Sequence, residues 1–120
     1  MAQDESMYDS VSRDIAAQRR SLAPKVSEAF SAFNRAVFTE GALPVKTKQL
    51  IAVAVAHVTQ CPYCIQGHTK QAVQAGATAE EIMEAVWVAA EMRAGGAYAH
   101  AAIALETVAQ TQRGSERDTA

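Results

Sequence analysis

Only two cysteines occur in the 120 residues. A secreted disulfide scaffold needs more of them, spread along the chain to close large loops, so that architecture is excluded. Aromatic residues are also scarce, at 6% of the chain, although apolar residues reach 49%. Much of the apolar fraction is alanine, and an alanine core is thin. Close helix packing or a subunit interface must supply the missing burial. Charge of one sign is lacking as well. Eleven basic residues against thirteen acidic ones leave a net charge of −2, with no basic excess to attract nucleic acid. No apolar run reaches the ~20 residues of a membrane span. The opening MAQDESMYDS is polar and acidic, unlike a signal peptide, so the expected compartment is the cytoplasm. Neither a G-x-G-x-x-G nor a P-loop is present, and no nicotinamide, flavin or nucleotide cofactor is expected. No segment shows the apolar/polar alternation of a strand.

What is there reads as helices in a single domain spanning residues 1–120, with its core over about 24–110 and flexible ends. A first helix is expected over residues 10–21, where Val11 and Ile15 lie four apart. Pro24 suits the first turn of a second. That helix carries Val26, Phe30, Phe33 and Val37 at helical spacing, with Phe30 and Phe33 facing the core. Gly41 and Pro44 mark a connection. Residues 46–60 form a third helix whose run LIAVAVAHV is apolar almost all round, as in a buried helix. Proline is disruptive inside a helix and welcome at its start. Pro62 therefore opens a fourth helix, with Cys61 as N-cap, Cys64 in the first turn and Gly76 as the stop. Thr78 and Glu81 read as a capping box for a fifth helix. Gly95-Gly96 is expected to break or kink it before a last, small-residue helix, AYAHAAIALETVA; the residues after Leu105 turn polar, and the closing GSERDTA reads as a frayed tail. Trp87 is assigned to the core.

The chemistry gathers at Cys61-Pro62-Tyr63-Cys64. A lone C-x-x-C in a chain with no recognisable signal peptide points to thiol chemistry rather than to a structural disulfide. Cys64 lies near a helix N-terminus, where unpaired N–H groups favour a thiolate. His68 follows one turn later and is placed to accept its proton. Cys61 is within reach to close a disulfide. The expected cycle has Cys64 attack an oxidant to form a sulfenic acid, Cys61 condense with it, and a reductant reopen the bond. A zinc site built from His57, Cys61, Cys64 and His68 has suitable ligand types. Structural zinc, however, usually draws on two separated pairs, and four ligands in one stretch surround an ion poorly, so no metal is expected.

The segment KTKQLIAVAVAHVTQCPYCIQGHTKQAVQAGATAEEIMEAV, extended through EMRAGGAYAHA, resembles the carboxymuconolactone decarboxylase superfamily in its alkylhydroperoxidase D-like (AhpD-like) branch. The similarity covers residues 41–101, about half of the chain. It implies an all-α fold of about six helices, assembled as a homotrimer or homohexamer. It also implies a thiol-dependent peroxidase or oxidoreductase acting on a hydroperoxide or disulfide substrate, recharged by a dithiol or protein reductant. On the family pattern Cys64 meets the peroxide, Cys61 resolves it and His68 assists.

Two positions depart from that pattern. Gln49 stands where the family's peroxidases carry a glutamate of the proton relay, and an amide hydrogen-bonds without shuttling a proton. Tyr63 stands where some of them carry a histidine. His57, two turns after Gln49, is a candidate for the missing base. The competing reading is a histidine held by a backbone carbonyl. Glu91 and Arg93 read as a pair or as a solvated face, and His100 as packed or interfacial. A non-catalytic redox sensor or a disulfide-exchange protein is the alternative to a peroxidase. Decarboxylation ranks below both, because the lactone decarboxylases do not rely on a cysteine pair.

Overall fold

The computed structural model describes residues 13–119. Five helices follow one another: α1 (Arg13–Leu22), α2 (Pro24–Val37), α3 (Val45–Thr59), α4 (Pro62–Gln74) and α5 (Ala79–Asp118). The fold is all-helical, with no strand among the described residues. α3 packs against both α4 and α5, and α1 against α2. Val53 of α3, Ala72 of α4 and Ala77 of the next turn form the centre of the core, with Leu50, Ile82 and Val86 packed around them. No described helix is long and apolar enough to cross a membrane.

Local chemistry sets the boundaries. Pro24 and Pro62 both stand in the first turn of their helices, where a missing N–H removes no helical bond. α3 ends because Gln60 turns left-handed, with φ 56°. The N–H groups of Gln60 and Cys61 then share the Ala56 carbonyl, and α4 packs back on α3. α4 ends in a Schellman turn. Gly76 has φ 97°, its N–H donates to the Val73 carbonyl, and the Ala77 N–H donates to Ala72. Ala72 and Ala77 are thereby brought together in the core. The capping box forms as expected: the Glu81 N–H donates to Thr78 Oγ1 at 3.1 Å, and the Thr78 N–H to Glu81 Oε1 at 3.0 Å. Lys46 Nζ pairs with Glu81 Oε2 at 2.9 Å and ties the start of α3 to the start of α5. The Lys46 ammonium holds the Glu81 carboxyl below its usual range, aided by the Thr78 N–H.

Several expectations need correction. Gly95 and Gly96 do not divide the chain, and α5 runs unbroken for 40 residues, giving five helices rather than six. A glycine costs an exposed helix only about 1 kcal/mol relative to alanine, and the alanine-rich flanks outweigh that. The residues expected to fray, from Gly114 onward, are helical to Asp118. Glu106 supports the turns before them by accepting from Gln110 and Arg113. α3 is buried on one side only, through Gln49, Val53 and Ala56. Phe30 (67% exposed), Phe33 and Trp87 (68% exposed) lie on the surface of the protomer instead of in its core. The first helix starts at Arg13, and the part of its expected span over residues 10–12 lies outside the described residues.

Two glycines predict opposite signs. Gly76→Ala places a side chain at φ 97° and should lower stability by about 1 kcal/mol. Gly67→Ala, inside α4 with nothing within 4 Å of the new Cβ, should raise it by about 1 kcal/mol. Urea midpoints of the two variants check both.

Candidate functional site

The site begins with the turn that Gln60 and Pro62 create. Cys61 is the N-cap of α4, in extended backbone. A cap needs a side-chain acceptor for the N–H groups left unpaired in the first turn. Cys61 Sγ fills that role, accepting from the Cys64 backbone N–H at 3.3 Å. Cys64 lies one turn on, and the two sulfurs share a hydrogen bond at 2.8 Å. Both cysteines are free and half-buried.

The bond between the sulfurs splits the two titrations. Cys61 lies below the ordinary thiol value, chiefly through its hydrogen bond with the Cys64 side chain and then because the Cys64 N–H donates to it. Cys64 is pushed up by its hydrogen bond with the Cys61 side chain, and further by burial and the neighbouring negative charge. Of the two thiols, Cys61 is the more acidic. The helix terminus favours negative charge at the cap, the atom toward which its free N–H groups point.

His68 lies further along α4. Its Nδ1 is 2.8 Å from Gln49 Oε1, and Gln49 Nε2 donates to Gln71 Oε1 at 2.9 Å. Gln49 is only 2% exposed. Because its amide nitrogen is committed to Gln71, its oxygen faces the imidazole. His68 then donates from Nδ1 and keeps the Nε2 lone pair as an acceptor. The Phe38 ring lies against the imidazole, with centroids 5.0 Å apart. Cys64 and His68 share a wall of a cavity of ≈ 310 Å³, whose other walls include Val37, Phe38, Ile51 and Val55. Lys48 also lines it, and its Nζ donates to the Val37 and Thr39 carbonyls at 2.9 and 2.7 Å. It closes the C-terminal end of α2 and holds Phe38 in place beside His68.

Of the residues singled out by sequence, Cys61, Cys64, His68 and Gln49 come together. His57 does not join them. Its Nδ1 is 2.7 Å from the Val53 carbonyl, and it lines a separate cavity with Val86 and Arg93. That arrangement is the backbone-held histidine of the competing reading. Arg93 Nη1 donates to the Val58 carbonyl at 2.9 Å, while Glu91 and His100 are exposed. Among the described residues no three His, Cys, Asp or Glu side chains gather to hold a metal ion. Sequence reasoning missed Gln71, Lys48 and Phe38. Gln71 had a signal, since it follows His68 by three residues and shares its face of α4.

A dithiol on a helix start, beside a histidine and an apolar cavity, marks a candidate thiol redox centre in an all-helical fold. Comparison with known proteins then places the chain. The family model for the carboxymuconolactone decarboxylase family matches residues 24–107, and the chain belongs to that family. A Paracoccus denitrificans protein, called protein 4 in cox locus, is 68% identical over 80 residues, covering 67% of this chain and 72% of that one. The crystal structure of a carboxymuconolactone decarboxylase family protein from Legionella pneumophila is 40% identical, with a TM-score of 0.62 over 78% of this chain and 87% of that one. A family member from Thermotoga maritima, described with a suggested part in an antioxidative response, is 40% identical, with a TM-score of 0.51 over 52% of this chain and 65% of that one.

Two variants test this wiring. Cys64→Ala removes the largest influence that lowers Cys61, so the ultraviolet thiolate titration of Cys61 should move to higher pH. Gln71→Leu frees the Gln49 amide to rotate, and His68 should then populate both tautomers. Nitrogen–proton correlation spectra of the imidazole read this directly, and an unchanged tautomer would show that Gln71 does not orient the amide.

Proposed function

We propose that the protein is a thiol-dependent oxidoreductase that reduces a hydroperoxide through a Cys61/Cys64 dithiol–disulfide cycle, as an alkylhydroperoxidase does. The observation that carries this reading is the Cys64 thiol, bonded to the Cys61 sulfur and set on the same cavity wall as His68. The apolar lining suits an organic hydroperoxide with a hydrocarbon body.

The cycle uses the proton shared by the two sulfurs. The Cys64 proton passes to the Cys61 sulfur, which frees a thiolate on the side facing the cavity. That thiolate attacks the outer peroxide oxygen. The S–O bond forms, the O–O bond breaks, and the departing alkoxide takes the proton now on Cys61. Cys61, a thiolate again, attacks the Cys64 sulfenic acid. The S–S bond forms and hydroxide leaves, taking a proton from solvent to become water. His68 Nε2 accepts a hydrogen bond from the entering hydroperoxide and orients it. The dithiol has lost two electrons to the peroxide, and a partner dithiol or protein reductant returns them through exchange.

The lowered Cys61 favours a second reading. A thiolate at a helix cap is the form that attacks a partner's disulfide, so disulfide exchange with a protein is the alternative activity. Decarboxylation finds less support, because the Lys48 cation at the cavity is engaged by two main-chain carbonyls. The proposal includes a cytoplasmic setting and a homo-oligomer, trimer or hexamer, supported by the many exposed large apolar side chains. It includes no nucleic-acid or membrane partner.

The test is the intact mass and thiol count of reduced protein, quenched at intervals after one equivalent of an organic hydroperoxide. Rapid loss of both thiols and two hydrogens is expected, abolished in Cys64→Ser and slowed roughly 10²-fold or more in His68→Phe. If only a protein or small-molecule disulfide oxidises the pair, exchange replaces peroxide reduction.

A further inference from the structure

Two helices carry apolar rows that the protomer leaves uncovered. On α2 the row is Val26, Phe30, Phe33 and Val37, spaced four, three and four, and every member is exposed. On α5 the matching row is Trp87, Ala90, Ala94, Ala97 and Ala101, spaced three, four, three and four, and all five are exposed. This alternation puts each set on one helical stripe. The two stripes are opposite in size. α2 offers two phenylalanines and two valines, whereas α5 offers mostly alanines. Large side chains on one helix and small ones on the other let axes approach and knobs seat. Every residue from Gly96 to Val108 is exposed, with Tyr98 at 84%.

Charge points the same way. The groove between α1 and α2, of ≈ 770 Å³, is lined by Arg19, Arg20 and Arg35 beside Phe30. The alanine row of α5 is flanked on one side by Glu84 and Glu91, which lie near it by helical phase.

We propose that a second copy of this chain covers α2: the Val26–Phe30–Phe33–Val37 row of one copy seats on the Ala90–Ala94–Ala97–Ala101 row of α5 in the next, with Glu84 and Glu91 turned toward the arginines. This rests on the self-association in the proposed function and is independent of the thiol chemistry. The two surfaces differ, so the contact is heterologous. Repeated from copy to copy, such a contact closes a ring wherever its rotation closes. The contact also reaches the redox site. Val37 ends the α2 row and is a wall of the cavity that holds Cys64 and His68. Ile51 and Val55, at the same cavity, are exposed in the protomer. The α5 of the neighbouring copy caps this mouth, and the cavity is incomplete without it.

Complementation tests the pairing. Phe30→Glu disables the α2 surface and leaves α5 intact, and Ala97→Arg does the reverse. Wild-type protein should elute with a light-scattering mass several times 12.8 kDa. Each variant should fall to a smaller species with its helical circular dichroism kept. Mixing the two should restore a larger mass, because a pairing between the intact α2 of one and the intact α5 of the other survives. A mixture that stays small overturns the pairing, as does a Phe30→Glu variant of unchanged mass. Should either variant fail to fold, a photo-crosslinking residue at Tyr98 in the otherwise wild-type chain decides: crosslinks to residues 26–37 of another copy support the pairing, and crosslinks elsewhere overturn it. Cys64→Ser should assemble as wild type does. Thiol oxidation should slow at least tenfold in each single variant and recover in the mixture, and an unchanged rate in the dissociated variants overturns the capping of the cavity. A wild-type protein that assembles yet never reacts with hydroperoxide counts against the peroxidase reading alone.

Discussion

Cys61 brings a sulfur atom to the place where α4 needs an acceptor. Most helices meet that need with the oxygen of serine, threonine or aspartate. Here the atom that closes the first turn, by accepting the Cys64 N–H, is also one half of the dithiol. Structure and reactivity therefore share a single pair of contacts. The same terminus that stabilises a negative cap stabilises a thiolate, and the Cys64 sulfur lies within hydrogen-bond distance of that atom. The backbone arrangement upstream serves this one placement. A left-handed Gln60 reverses the chain, and Pro62 prevents α3 from simply continuing into α4.

The second constraint is a buried amide. Gln49 lies between α4's His68 and Gln71, with both ends of its side chain occupied. A buried polar group left unpaired is costly, so the three side chains hold one another in a single orientation. The histidine gains a defined tautomer from a neutral partner. A carboxylate at this position would add a charge to hold and a proton to exchange. An amide does neither, and under the proposed cycle the proton traffic is left to the two sulfurs and the free imidazole nitrogen.

Much of this was legible in the sequence wherever the determinant was local. The cap at Cys61, the proline start, the Gly76 stop and the Thr78–Glu81 box each depend on a few neighbouring residues, and each forms. Where the determinant is distant or shared between helices, the reading failed. Periodicity at Phe30 and Phe33 reports that a face wants cover, without saying whether this chain supplies it. Trp87 misled for the same reason. Gly95-Gly96 looked like punctuation because a local cost is visible and the helical strength of both flanks is summed only over the whole segment. The partnership of Gln49 with Gln71 spans 22 residues and leaves no trace in spacing. Which thiol of the pair is the more acidic depends on atomic contacts that no motif records.

The unbroken run of α5 gives the chain a phase to keep. A helix turns about 100° and rises 1.5 Å for each residue, so its 40 residues make a rod of roughly 60 Å. One residue inserted near Gly95 would leave α3, α4 and the thiol pair as they are, yet rotate everything beyond it by more than a quarter turn. An insertion of seven would nearly restore the bearing and only lengthen the rod. The far half of the helix is thus governed by a counting rule, while the redox centre is governed by the identity of a few atoms.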